Sequence, residues 1–445
     1  MIPKFQTWRR IAILAILLAS PASVIADAVT DWNAIALQAT ITGARPGATG
    51  ILDVAIVHAA IYDAVQAIER RYEPYYVEIK GASGSPEVAA AKAAHDVLVS
   101  RFPMQAAALD AAYQQYLLTH GLSETDPGVA VGAAAAAGIL ALRACDGSFP
   151  SPPPPPFIGG TEIGVWRPTP PGNAPMLVPW LGNVTPFTLT RPSQFRPGPP
   201  PDLNSREYTR DYNEVKALGA LNNSSRTPEQ TDLAQFWATN YLVSWSQTLR
   251  DLTDQHIDNI ADSSRLFALA NLAAADAAIT AWNTKNYYVF WRPVTAIQEG
   301  DNDGNPHTAG DPTWLPLIVS PAYPDYTSGA NNFTAAITRI LSLFFGTDHM
   351  VFSVTTTNVG PTIEDTRTYC RFSDAAQDVV DARIYEGIHF RFADETARRT
   401  GRQVAGWAFK NFMRPLNKNR HDRHDQKDDD DCDDRDDHND HDDHR

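Results

Sequence analysis

Apolar residues return at intervals of three and four along most of this chain, the period of a helix face buried against a core. The clearest instance spans residues 53–70, where Val54, Val57, Ile61, Val65 and Ile68 fall on one side. A helix over 29–40 is predicted by Trp32, Ile35 and Ala39. Ser85-Pro86 opens another, running to 101, because serine caps a helix and proline suits its first turn. Segments 104–118 and 127–144 complete an Ala-rich set whose small side chains allow close packing. His58 and Asp63 lie inside the 53–70 helix and read as satisfied interior polar groups. Nothing in this half gathers a reactive cluster, so it reads as scaffold.

The period is lost between 145 and 203. A five-proline run, Pro152 to Pro156, is followed by Pro168, Pro170, Pro171, Pro192, Pro197 and three more at 199–201. Such a stretch is extended or looped, because proline removes a backbone donor and fixes its own torsion. Trp166, Leu177, Trp180 and Phe187 predict that it wraps over the core and rims a pocket. Helical spacing resumes over 205–218. Thr227-Pro228-Glu229-Gln230 is a capping-box start for a helix reaching 252, with Trp237, Tyr241 and Trp245 on it. The longest amphipathic run is 263–290, stopped by Arg292-Pro293. Three more helices are expected at 333–345, 375–384 and 389–413. No strand pattern competes at length. The fold class expected is mainly α, two packed helical bundles with a proline-rich wrapping segment. Its expected divisions are 1–26, 27–150, 151–204, 205–415 and 416–445.

Composition agrees with a folded core, at 43% hydrophobic and 20% charged residues. The ends are different. Lys4, Arg9 and Arg10 precede an apolar run over 11–19, with small residues Ala22 and Ala26 behind it. That order is a secretory signal, cut after Ala26, and it predicts a periplasmic or extracellular protein. Thr7-Trp8-Arg9-Arg10 is a weak twin-arginine resemblance. No later stretch suggests a bilayer span; the nearest, 129–144, reads as a core helix. Residues 416–445 interleave 13 Asp with six Lys and Arg and five His, namely His421, His424, His438, His441 and His444. They are expected to be a disordered, solvated acidic tail.

Net charge is -15. An acidic chain argues against nucleic acid as a partner and leaves small molecules. Cys145, Cys370 and Cys432 include no CxxC pair, so neither a disulfide framework nor a thiolate zinc site is expected. Asp301-Asn302-Asp303-Gly304-Asn305 opens like a calcium loop, but Pro306 and Pro312 stand where the glycine and glutamate belong.

The candidate chemistry lies between Trp282 and His389. Lys285 and Arg292 are seven residues apart, two helical turns, so one helix would present both on one face, with Trp282 a turn earlier. Trp282, Tyr287, Phe290 and Trp291 make that surrounding apolar, where cations need a counter-anion. Tyr326-Thr327-Ser328-Gly329 leads into a helix, whose first N–H groups face outward to an anion. Serine is equally at home there as a plain cap. Arg383 and His389 are six apart, and Gly387 predicts a break that brings both to one place. Arginine suits bidentate contact with a tetraoxo anion. Imidazole can attack phosphorus or ligate a metal-oxo centre.

Together these clusters resemble the type 2 phosphatidic acid phosphatase superfamily, which includes the vanadium-dependent haloperoxidases. Its first motif, a lysine, six residues and Arg-Pro, matches Lys285 through Arg292-Pro293 in full. Its second, Pro-Ser-Gly-His, matches at Ser328-Gly329 and has Ala330 in place of histidine. Its third, Ser-Arg, five residues, His, three residues and Asp, is met by Arg383 and His389; Ala393 takes the last position and Asp394 follows one place late. These motifs cover about 265–410. Asp31-Trp32-Asn33 and His58 with Tyr62-Asp63-Ala64 are similar to the secreted haloperoxidase-like branch.

The resemblance implies that Lys285, Arg292 and Arg383 neutralise vanadate, or phosphate in the same place. Ser328 and the Gly329 amide would add hydrogen bonds. His389 would ligate vanadium in a peroxidase or become a phosphohistidine in a phosphatase. Trp282 and Tyr323 stand where a halide site would be. Ala330 removes the proton-moving histidine, and His307 or Asn331 are the stand-ins suggested by nearness in sequence. The implied activity is an exported haloperoxidase that oxidises halide with bound vanadate and hydrogen peroxide. The alternatives are a phosphate-ester hydrolase, or an oxyanion-binding protein with weak turnover.

Overall fold

A computed structural model describes residues 27–358 and 365–416, so the expected signal, and the expected tail beyond Leu416, lie outside the described residues. Five helices come first: α1 (Ala28–Thr42), α2 (Gly50–Glu69), α3 (Pro86–Arg101), α4 (Ala106–His120) and α5 (Gly128–Arg143). After the proline-rich stretch come α6 (Arg206–Leu218), α7 (Pro228–Trp237), α8 (Tyr241–His256), α9 (Ile260–Tyr288), α10 (Pro293–Gln298) and α11 (Gly329–Phe345). A hairpin of β1 (His349–Thr355) and β2 (Thr366–Arg371) leads to α12 (Phe372–Tyr385) and α13 (Arg391–Asn411). The fold is mainly α, as the spacing predicts.

Side-chain caps start many of these helices where the sequence places them. Ser85 accepts from Val88 N–H, Ser205 from Tyr208 N–H, and Thr227 and Gln230 form the full capping box. The long helix α9 is buried on almost every side, as its run of alanines and leucines requires. It packs against α2, α11 and α13; one hydrophobic core runs from α1 to α13, and a second, smaller one gathers around α6 and α10. Small residues set the spacing: a Cβ on Gly132 of α5 would lie 2.4 Å from Ala89 O of α3. Among the described residues α2, rather than 129–144, is long and apolar enough to cross a membrane, yet 89% of that window is buried inside the protein. It is a core helix.

Four local expectations change. The helix expected over 227–252 is two, because Ala238 leaves the helical conformation and Asn240 begins α8. Thr239 and Asn240 bond to Thr357, which holds that break against the hairpin. The hairpin itself was not expected. Its strands are short, and only Phe352, Val354 and Tyr369 turn inward, with Phe352 packing on Trp245. α9 stops at Tyr288 with Val289 in the left-handed region, so Lys285 and Arg292 do not share one helix. His389 precedes α13 instead of starting it.

The proline-rich stretch wraps α9, as expected. Asp276 of α9 accepts from the N–H groups of Phe187, Thr188 and Leu189. Trp166 is buried and its N–H donates to Val289 O at 2.7 Å. Asp301 and Asp303 turn back on their own loop, accepting from Gly310 N–H and from Asn305 N–H and Thr308 Oγ1.

Candidate active site around His389

The break after α9 brings Lys285 and Arg292 together by another route. Val289 reverses the chain, Arg292 becomes the residue before α10, and both side chains point inward, fully buried. The loop 323–325 meets them. Lys285 Nζ donates to Pro324 O at 2.5 Å and Asp325 O at 2.9 Å. Arg292 Nε donates to Tyr323 O at 2.8 Å and Nη1 to Ile388 O at 2.6 Å. Both cations also stand over the Tyr323 ring, 4.9 and 4.8 Å from its centre.

His389 closes this cluster. Gly387, with φ +79°, makes the turn out of α12 that a side chain would resist. Arg292 Nη1 lies 3.1 Å from His389 Nε2. A guanidinium can only donate, so Nε2 carries a lone pair and the ring proton belongs on Nδ1. That proton faces Asp325, whose Oδ1 is 2.6 Å away in an approach too oblique for an aligned hydrogen bond. Burial, and then Arg292, Lys285 and Arg383, hold the His389 pKa well below the ordinary histidine range. His389 is therefore neutral at physiological pH, and all three expected cations act on it.

Arg383 comes from the last turn of α12. It donates to Tyr241 Oη at 2.8 Å and to Trp237 O, the carbonyl freed where α7 ends. Its Nη2 pairs with Glu386 at 2.9 Å. Glu386 is buried, and its pKa is pushed up to about 7 by that burial, against the pull of Arg383. Burial likewise raises Asp325 to about 7, with Arg292 and Lys285 opposing. Asp394 is also raised, by burial and by Asp325. Burial thus raises all three carboxylates, and it also lowers Lys285 and Arg292.

Two donors are left over. Arg292 Nη2 and Arg383 Nε are buried with no hydrogen-bond partner among the described residues. An unpaired buried donor is costly, more so when charged, and an acceptor placed there relieves it. The first-turn N–H groups of α11, at Gly329 and Ala330, likewise lack intrahelical acceptors. Ser328 caps α11, with Oγ accepting from Asn331 N–H at 3.5 Å and Asn331 Nδ2 at 3.3 Å. Asn331 Nδ2 also binds Asp394 Oδ1 at 2.9 Å. Asp394 therefore supports the Ser328 turn, while Asp325 stands beside the histidine. His307 is exposed on the loop beside α6, apart from the cluster.

A cavity of about 470 Å³ lies in front of this cluster. Arg383, Trp282, Tyr323, Gly329 and Ala330 line it; Lys285, Arg292, Ser328 and His389 do not. Trp282 and Tyr323 pack together at 4.9 Å between ring centres and form the border. Asp325, Glu386 and Tyr241 have no motif of their own. Asp325, three residues before Ser328, and Glu386, three residues after Arg383, lay close enough in sequence to suspect; Tyr241 did not.

Residues 265–418 match the family model for the VCPO second helical-bundle domain. Vanadium chloroperoxidase of Curvularia inaequalis is 29% identical over 201 residues, 38% of this chain and 32% of that protein, so the match spans a minor part of its length. The crystal structure of the first bacterial vanadium-dependent iodoperoxidase superposes with a TM-score of 0.74 at 21% identity, covering 88% of this chain and 98% of that one. That of a holo-type bacterial vanadium-dependent chloroperoxidase gives 0.66 at 17% identity, covering 82% and 91%. At such identities the two structures show a common fold.

Proposed function

Because this chain is a vanadium-haloperoxidase-like protein, we propose that it binds a tetrahedral oxyanion beside His389 and, with vanadate there, oxidises halide with hydrogen peroxide. The observation that carries this is the pair of buried, unpartnered guanidinium donors, Arg292 Nη2 and Arg383 Nε, around a neutral imidazole. A tetraoxo anion supplies the acceptors those donors lack, so the residues present fit the group.

Vanadate, when bound, supplies activation of peroxide toward attack by halide. The chain's own residues do the rest. His389 would present its Nε2 lone pair to the anion once Arg292 Nη1, 3.1 Å from that nitrogen, turned its donor to the anion's oxygens, with Asp325 beside Nδ1. Arg292 and Arg383 would donate to the anion's oxygens, and the anion would in turn favour the charged form of Lys285, whose pKa burial and Arg292 lower. The Gly329 N–H adds a dipole from the α11 start. Trp282 and Tyr323, at the cavity border, would flank the halide.

Ala330 favours a second reading, oxyanion binding with slow turnover. Its methyl lines the cavity where a proton-moving side chain would serve. Loss of such general acid-base help costs typically ~10²–10⁴-fold. Phosphate fits the same donors, so phosphate-ester hydrolysis through His389 is the third outcome of one test. Purified protein is assayed with and without orthovanadate. Halide oxidation that requires vanadate supports the first reading. Phosphate release that vanadate inhibits replaces it with the hydrolase, and binding without turnover replaces it with the second. Export is part of the proposal, and N-terminal sequencing of secreted protein should begin at Asp27.

A further inference from the structure

The cavity beside Arg383 is built mainly from apolar side chains, and two of its lining residues come from the half of the chain that reads as scaffold. Ala48 and Ile51, at the start of α2, face Leu242 of α8, Ala278 of α9 and Phe333 of α11. Close packing holds this wall in place: a Cβ on Gly50 would come within 3.1 Å of Leu242. Polar groups line the same space, namely Arg383, Tyr241 and Tyr323 with Thr239 and Asn240. Ala330 belongs to the wall as well. A methyl here extends the apolar surface to within one residue of Ser328, where an imidazole would have been a polar group. A volume of about 470 Å³ falls within the usual range for small-molecule sites. Water or halide alone needs neither that volume nor such a lining.

We propose that this chamber is a binding site for a neutral, ring-bearing apolar organic molecule, with its one polar group toward Arg383 and its ring against Trp282, Phe333 and Ala330. On the reading given above, which this rests on for its role, the bound molecule is the organic partner of the oxidation at the adjoining oxyanion site. The α1–α2 connection then sets which molecule is accepted, and Ala48 and Ile51 are its specificity-determining residues.

The test is a calorimetric titration of the full chain with 2-naphthol, run beside a separate titration with inorganic phosphate. Wild-type protein should bind 2-naphthol. Ala48→Trp, at the half-buried edge of the chamber, and Ala278→Phe, inside it, should each weaken that binding by about tenfold or more, equivalent to the loss of one good apolar contact surface. Ala48→Trp keeps the test valid where Ala278→Phe disturbs folding. Failure of wild-type protein to bind 2-naphthol, or equal affinity in a folded Ala48→Trp variant, overturns the chamber as an organic site. Phosphate that binds when 2-naphthol does not leaves the oxyanion reading standing alone. The reverse result sinks that reading and keeps the chamber.

Discussion

His58 and His389 are both buried imidazoles kept neutral, one in each half of the chain, and only one is placed for chemistry. His58 sits in α2, stacked on Phe267 with ring centres 4.9 Å apart. Its Nε2 meets Asn33 Nδ2 at 2.9 Å, and the nearby Arg250 donates to Asn33 Oδ1 at 2.6 Å. Burial, then Arg250, lowers its pKa to about 3. His389 is lowered by the same first cause, but three cations follow. Around His58 the arginine has a neutral acceptor, and the ring lines none of the cavities described above. Around His389 two guanidinium donors have no acceptor, and a chamber adjoins them. A displaced pKa therefore does not separate a packed histidine from a reactive one. Unmatched guanidinium donors and an adjoining chamber do, since His58 too keeps a buried Nδ1 without a partner among the described residues.

Exchange of roles is the strongest way to break this contrast. His389→Ala should lower any oxyanion-dependent turnover by at least ~10²-fold, the scale of losing a nucleophile or ligand group. His58→Ala should leave kcat intact and instead cost about 2–5 kcal/mol of unfolding free energy, as for other large-to-small core changes. Equal losses of turnover in the two variants would end the distinction. Next in size, Ala330→His should raise turnover of iodide or of a small phosphate ester by about 10²-fold, the lower end of general acid-base assistance. No gain from a folded, anion-binding variant would mean that Ala330 is not what slows the reaction.

Acid should reach both histidines through stability. A histidine whose folded pKa lies below its unfolded value of about 6.5 contributes stability that is present above that pH. The contribution is lost as pH falls from 6.5 toward the folded value, at about 1.4 kcal/mol per pH unit for each histidine. His58→Leu should remove one histidine's share of that slope in urea unfolding, read from about pH 6.5 to about pH 5. A slope identical to wild type would show that His58 is not held neutral.

The smallest effect expected concerns Glu386. Its folded pKa, raised to about 7, leaves it charged above that pH and neutral below it. Sulfate keeps its charge through this range, so its affinity should rise as pH falls from about 8 to about 6, while Arg383 loses its internal partner. The rise is at most about tenfold per pH unit. By the same sign, the stability Glu386 contributes is fully present below its unfolded pKa and declines as pH rises through about 7. Glu386→Gln should flatten the affinity curve; a curve unchanged in the variant would assign the effect elsewhere.

Local spacing determined much of this protein. The three-and-four recurrence placed the helices within a few residues, since burial of one face is a local property of a segment. Caps at Ser85, Ser205 and Thr227 mark starts for the same reason: each satisfies N–H groups only two or three residues away. Lys285, Arg292, Ser328, Gly329, Arg383 and His389 were also legible, as residue types at fixed spacing.

What those residues touch was decided only by tertiary structure. Arg292 meets His389 across 97 residues of sequence, through a reversal at Val289 that the helical period does not announce. Asp325 enters as a counter-charge because the chain returns past Arg292 and His389, whereas Glu386 pairs with Arg383 only three residues away. The hairpin holds the break between α7 and α8, which frees Trp237 O for Arg383. The chamber needs walls from both ends of the chain. Periodicity records that Ile51 and Phe333 are buried on their helices, but not that they face one another across a space.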